Sequence, residues 1–146
     1  MMSNKLLFGI SDNLLRRLQA VRNAAACLVT GTRRREHTIP VLRQLHWLPV
    51  PQCIEFNLAV LVYKAMNGLS PQYLADDCQL TSTAGRRRLR SSNVAMCEVP
   101  KTRTSVGDRS FTVAGPRLWN NLPLHLSDSG HTFLEFRRLL KTHLFC

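Results

Sequence analysis

Acidic residues are scarce in this chain: 9 Asp and Glu stand against 20 Lys and Arg, for a formal charge of +11 over 146 residues. Long hydrophobic runs are missing too. The N-terminus offers only the short apolar stretch Leu6 to Ile10, less than the core of a secretory signal, and no stretch approaches the roughly 18 apolar residues of a membrane span. Secretion and membrane insertion are therefore not expected. Residues 1–35 are Arg-rich and hold Asp12 as their one acid, which leaves a mitochondrial transit segment as a minor alternative without cleavage logic to support it. The five cysteines, Cys27, Cys53, Cys78, Cys97 and Cys146, are odd in number and widely spaced. They fit neither a disulfide framework nor a paired-thiolate metal motif and read as reduced, mostly buried thiols.

Signatures of catalysis are equally sparse. There is no Gly-x-Ser-x-Gly elbow, no phosphate-cradling Walker loop and no dinucleotide glycine fingerprint. His37, His46, Cys53, Cys78, Cys97, His125, His131 and His143 never reach zinc-ligand spacing, so no metal or other cofactor is expected. Tyr73-Leu74-Ala75-Asp76-Asp77 partly resembles the Tyr-x-Asp-Asp turn that presents two metal-binding carboxylates in polymerases. It has one residue too many, and its surroundings are helical rather than stranded. Two-metal chemistry also needs a further carboxylate nearby, and a solvated helix end is the better reading. The chain alone is not expected to be an enzyme.

What is present is a mainly α pattern in a length that suits one modest core. Ser11 precedes Leu14, Leu18, Val21, Ala25 and Leu28, an apolar stripe on a helix over about 11–30 that Gly31 stops. Helices follow over 38–47, 51–67 and 71–77. The third should be the central one, because Ile54, Leu58, Leu61 and Ala65 form one apolar stripe and Phe56, Val60 and Tyr63 another. Asn67-Gly68 closes it. Residues 1–78 thus form a helical subdomain and residues 79–95 a polar, basic loop. Residues 96–146 should add a short β-hairpin near 96–113, turning at Gly107-Asp108, and C-terminal helices, the whole making one compact unit. Pro116 suits the first position of a helix carrying Leu118 and Trp119. Thr132-Phe133-Leu134-Glu135 is a capping box opening a helix with Phe133, Phe136, Leu140 and Leu144 on one face.

The charge is unevenly placed: eight basic residues against two acidic in 1–50, one against three in 51–80, and eleven against four in 81–146. Such a field favours a polyanion: RNA, DNA or an anionic membrane. Arg33, Arg34 and Arg35, then Arg86, Arg87, Arg88 and Arg90, then Arg137, Arg138 and Lys141 are the candidate phosphate ligands. The competing readings are a solubilising surface and, for the first run, cations complementing the end of a helix dipole. Trp47, Tyr73 and Trp119 are either stacking platforms or core.

Four stretches follow one another: LQAVRNAAACLVTG; LRQLHWLPVPQCIEFNLAVLVYKAMNGLSPQYLADD; RRRLRSS; and GDRSFTVAGPRLWNNLP followed by FRRLLKTHLF. In this order they resemble the C-terminal end of the reverse transcriptase polyprotein of non-LTR retrotransposons, the long interspersed elements, from about Lys5 to Phe145. The resemblance implies a segment beyond the fingers, palm and thumb, whose nuclease and catalytic aspartates lie upstream. It also implies a role beside template RNA or target DNA, cytoplasmic synthesis with nuclear action, and the upstream polymerase domain as a partner. Cys27, Cys53 and Asn57 stand where such copies tend to carry cations. Met1-Met2 falls where the family's chain is continuous, so the resemblance reads the chain as a truncated copy, for which a structural module packing on the thumb is the alternative role.

Overall fold

The computed structural model describes residues 9–33, 36–81, 96–127 and 130–145. Among these it is mainly α, with eight helices: α1 Asp12–Thr30, α2 Thr38–Gln44, α3 Val50–Met66, α4 Gln72–Asp77, α5 Ser105–Asp108, α6 Phe111–Asn121, α7 Leu124–Ser127 and α8 Phe133–Phe145. Two compact units are distinguished, one running through Phe56 and resuming at Lys141, the other spanning Asn57–Leu140.

In the first unit, α1 starts at Ser11, whose carbonyl accepts from the Leu14 and Leu15 amides, and ends where Gly31 enters the left-handed region at φ 70°. It packs against α2 through Ala26, which meets Val41 and Leu42 with Leu45 and Trp47 at the edge. After α2 the chain turns sharply at His46, a non-glycine residue at φ 55°. The turn is held by the Trp47 amide donating to the Leu42 carbonyl at 2.8 Å. Pro51 sits in the first turn of α3, where a missing N–H costs nothing. The Val50 amide is satisfied instead by the Gln19 side chain of α1, at 2.6 Å. Arg43 donates to the Phe145 carbonyl at the end of α8.

The stripe expected to bury α1 does not do so. Leu14, Leu18, Val21 and Leu28 are 46%, 38%, 69% and 85% exposed. The face that packs is the neighbouring one, carrying Leu15, Gln19, Arg22 and the fully buried Ala26. A small alanine admits α2 closely, and Gln19 and Arg22 are spent on Val50 and on the Trp47 ring.

The second unit is built on the rest of α3. Leu58, Leu61 and Ala65 of the first expected stripe are buried; of the second, Tyr63 is buried and Val60 half-buried, and Ala59 and Val62, which belong to neither stripe, are buried too. Gly68, at φ 69°, follows the helix, with the Leu69 amide returning to the Lys64 carbonyl. Phe136 of α8 stacks on Tyr63 at 4.5 Å between ring centroids and tilts against Trp119 of α6 at 5.6 Å. The Tyr63 hydroxyl donates to the His131 carbonyl. The capping box forms as read: the Thr132 amide and hydroxyl both donate to Glu135, and the Glu135 amide donates back to the Thr132 hydroxyl.

The hairpin near 96–113 is corrected. No strand occurs there among the described residues, and Cys97 forms one isolated antiparallel bridge with Leu80 instead. Gly107, which had to turn the hairpin, lies inside α5, its amide donating to the capping Thr104 hydroxyl. Phe111 to Val113 are the first turn of α6, because that register buries Val113, Ala114, Pro116 and Trp119 together. Pro116 accordingly lies in the middle of α6 rather than at its first position. Gly115 leaves room beside it: a Cβ there would stand 3.0 Å from the Val62 side chain and 3.1 Å from Phe111.

Candidate nucleic-acid interface

Of the candidate arginines, Arg34, Arg35, Arg86, Arg87, Arg88 and Arg90 lie outside the described residues. Arg33, Arg137 and Arg138 are exposed and Lys141 is half-buried. Two cations lie over the Phe133 ring, Lys64 Nζ 5.1 Å and the Arg137 guanidinium 5.6 Å from its centroid. The chain leaves for the Arg86–Arg90 segment at Thr81 and returns at Met96, where the Thr81 amide donates to the Met96 carbonyl at 2.9 Å. The Glu98 amide donates to the Gln79 carbonyl at 2.8 Å, so the base of this excursion is closed by paired backbone. Asn120 of α6 clamps it, accepting from the Cys97 amide and donating to the Cys97 carbonyl.

The structure adds a cluster that reading for runs of arginine passes over. Thr102 donates to Asp108, and Asp108 stands 3.7 Å from Arg117. This knot draws the segment before α5 onto the side of α6. Lys101, Arg103, Arg109 and Arg117 are each exposed, and each belongs to the knot or adjoins one of its members in sequence. Four exposed cations thus lie on the stretch from residue 101 to 117, with Asp108 as its one carboxylate, and of the four Arg117 is the one paired with it. Half-exposed in both partners, the Arg117–Asp108 pair is weak and leaves the cluster strongly positive. Gly107 lets the knot close, since a Cβ on it would sit 3.1 Å from Thr102 and Thr104. The sequence signal was there as four cations in 17 residues, but their spacing hides them from a search for runs.

Among the aromatics, Trp119 is core at 3% exposure, Trp47 is half-buried under Arg22, and Tyr73 is 67% exposed on α4. Tyr73, Asp76 and Asp77 all belong to that short helix, and Asp76 accepts from Gln72 within it. Cys78 and Cys97 are buried; burial, with Cys97 and Asp77 nearby, pushes the Cys78 thiol up to about 12, and burial pushes Cys97 up to about 11. Such thiols are held protonated and unreactive. Among the described residues, no group of three His, Cys, Asp or Glu side chains is placed to hold a metal ion. No described helix is long and apolar enough to cross a membrane.

No family model matches the chain, and no curated protein or solved structure is significantly similar to it.

Proposed function

We propose that this chain is the non-catalytic C-terminal segment of a non-LTR retrotransposon reverse transcriptase and that it holds RNA or DNA through phosphate contacts. The observation that carries the binding role is the exposure of Lys101, Arg103, Arg109 and Arg117 on one short stretch that holds Asp108 as its one carboxylate and that the Thr102–Asp108–Arg117 contacts tie to α6. Guanidinium groups in that setting take phosphate oxygens in paired hydrogen bonds, which gives affinity without reading bases. The order of its motifs supports the ancestry. The test is titration of the full chain into labelled single-stranded RNA, structured RNA and duplex DNA, alongside a variant with Lys101, Arg103, Arg109 and Arg117 changed to Gln. We expect binding to all three with little base preference, weakened at least tenfold in the variant. Binding no better than that of a neutral protein of this size would overturn the role.

A second reading, a module that packs on a partner protein, is favoured by one observation. The central helix α3 does not motivate it, because its apolar stripes are buried or half-buried. The exposed stripe of α1 does.

A further inference from the structure

Five large aliphatic side chains of α1 are more than a third exposed: Leu14, Leu18, Val21, Leu28 and Val29, the last at 65%. At 3.6 residues per turn they fall, with Ala25, in one sector about 100° wide, the width of a helix-packing face. The face that meets α2 is centred about 100° further round the same helix. Among the described residues of this unit the stripe therefore has no cover, and its 4-3-4-3 spacing is that of a seam between paired helices. Patches of this extent on a monomer mark interaction sites more often than accident.

The borders of the stripe identify what covers it. Exposed Arg17 flanks one edge, and at the other the half-buried Arg22 keeps its charge while its guanidinium lies over Trp47; Asp12, the one acid of the helix, projects from the opposite side. A second copy of this chain laid along the seam would set Arg17 against Arg22 if parallel, or each against itself if antiparallel, with no carboxylate to pair. A membrane surface suits it less, because the sector holds no aromatic side chain and the polar side sets Asp12, Asn13 and Asn23 beside the single cation Arg16. Beside the stripe, a shallow recess of about 340 Å³ lined by Ala24, Cys27, Leu28, Gly31 and Thr32 can receive a projecting side chain.

From this geometry we infer that α1 docks an amphipathic helix of a partner protein whose apolar seam is flanked by Asp or Glu. The inference rests on the packing reading and is independent of the nucleic-acid one. The probe is a labelled peptide of three heptads with Leu at both seam positions and Glu at the flanking positions, titrated with the full chain. A counterpart peptide carries Lys at the flanks. The Glu-flanked peptide should bind at least tenfold more tightly. Arg17→Glu should erase or invert that preference. Val21→Gln with Leu28→Gln should weaken binding at least tenfold while far-UV circular dichroism stays unchanged, since both side chains are exposed in the free protein. Equal binding of the two peptides would overturn the acidic partner but leave the packing reading standing. Binding of neither would overturn both, as would concentration-dependent dimerisation of the chain abolished by the Val21 and Leu28 changes, or adsorption to phosphatidylserine vesicles abolished by them.

Discussion

Phe136→Ala removes the side chain on which the second unit turns. Phe136 is 0% exposed, stacks on Tyr63 with an interplanar angle of 16° and tilts against Trp119 at 37°. Truncating a buried Phe costs about 3–5 kcal/mol in lost burial and residual cavity, and the two aromatic pairs place this site toward the upper end. Against a total stability of about 5–15 kcal/mol for a domain, that is a large fraction. For a unit of this size, each kcal/mol moves the midpoint by about 4–8 °C, so the melting temperature should fall by about 12–40 °C. The assay is thermal unfolding of the full chain followed by near-UV circular dichroism, which reports the packed aromatics. Leu134→Ala is the matched control on the same helix, where 74% exposure limits the change to about 0.5 kcal/mol. A Phe136→Ala shift no larger than that of the control would refute this account of the core.

Other outcomes follow from single contacts. Hydrogen bonds from the Thr132 amide and hydroxyl hold the Glu135 carboxyl below its ordinary value. Its contribution to stability should be complete above the unfolded-state pKa and be lost as pH falls through the lower folded value; Thr132→Ala should cost about 0.5–2 kcal/mol at neutral pH and flatten that dependence. Cys78 and Cys97 should resist iodoacetamide at pH 8 in the native chain, while the half-buried Cys27 and Cys53 react, as mass spectrometry of the labelled peptides would show. Because the unfolded thiols lose protons from about 9 while the folded ones hold them to about 11 and 12, stability should be full below pH 9 and fall as pH climbs through that window. An unchanged urea midpoint between pH 8 and pH 10.5 would contradict it.

Much of the helical framework was legible because its signals are local. Ser11 and Gly31 bracket α1, Gly68 ends α3, and Thr132 with Glu135 opens α8, each within a residue or two of expectation. What escaped was decided by partners distant in sequence. Phe111 to Val113 read equally well as a strand until Val62 and Trp119 select the helical register. The α1 stripe has the spacing of a core face, but α2 takes the adjacent face, because Ala26 admits it and Gln19 caps α3. The candidate site was legible in part. Runs of arginine stand out in one dimension, whereas the link from Thr102 through Asp108 to Arg117, which ties the stretch carrying Lys101, Arg103 and Arg109 to α6, does not.

The claim that phosphate contacts carry this protein's role is tested most directly by its affinity for single-stranded RNA across a salt series from about 50 to 200 mM, over which counterion release weakens phosphate binding steeply. With about four cations engaged, the logarithm of affinity should fall against the logarithm of salt with a slope of about −3, and the slope should approach zero when Lys101, Arg103, Arg109 and Arg117 become Gln. A slope near zero in the unaltered chain, or one that the four substitutions leave unchanged, would contradict it.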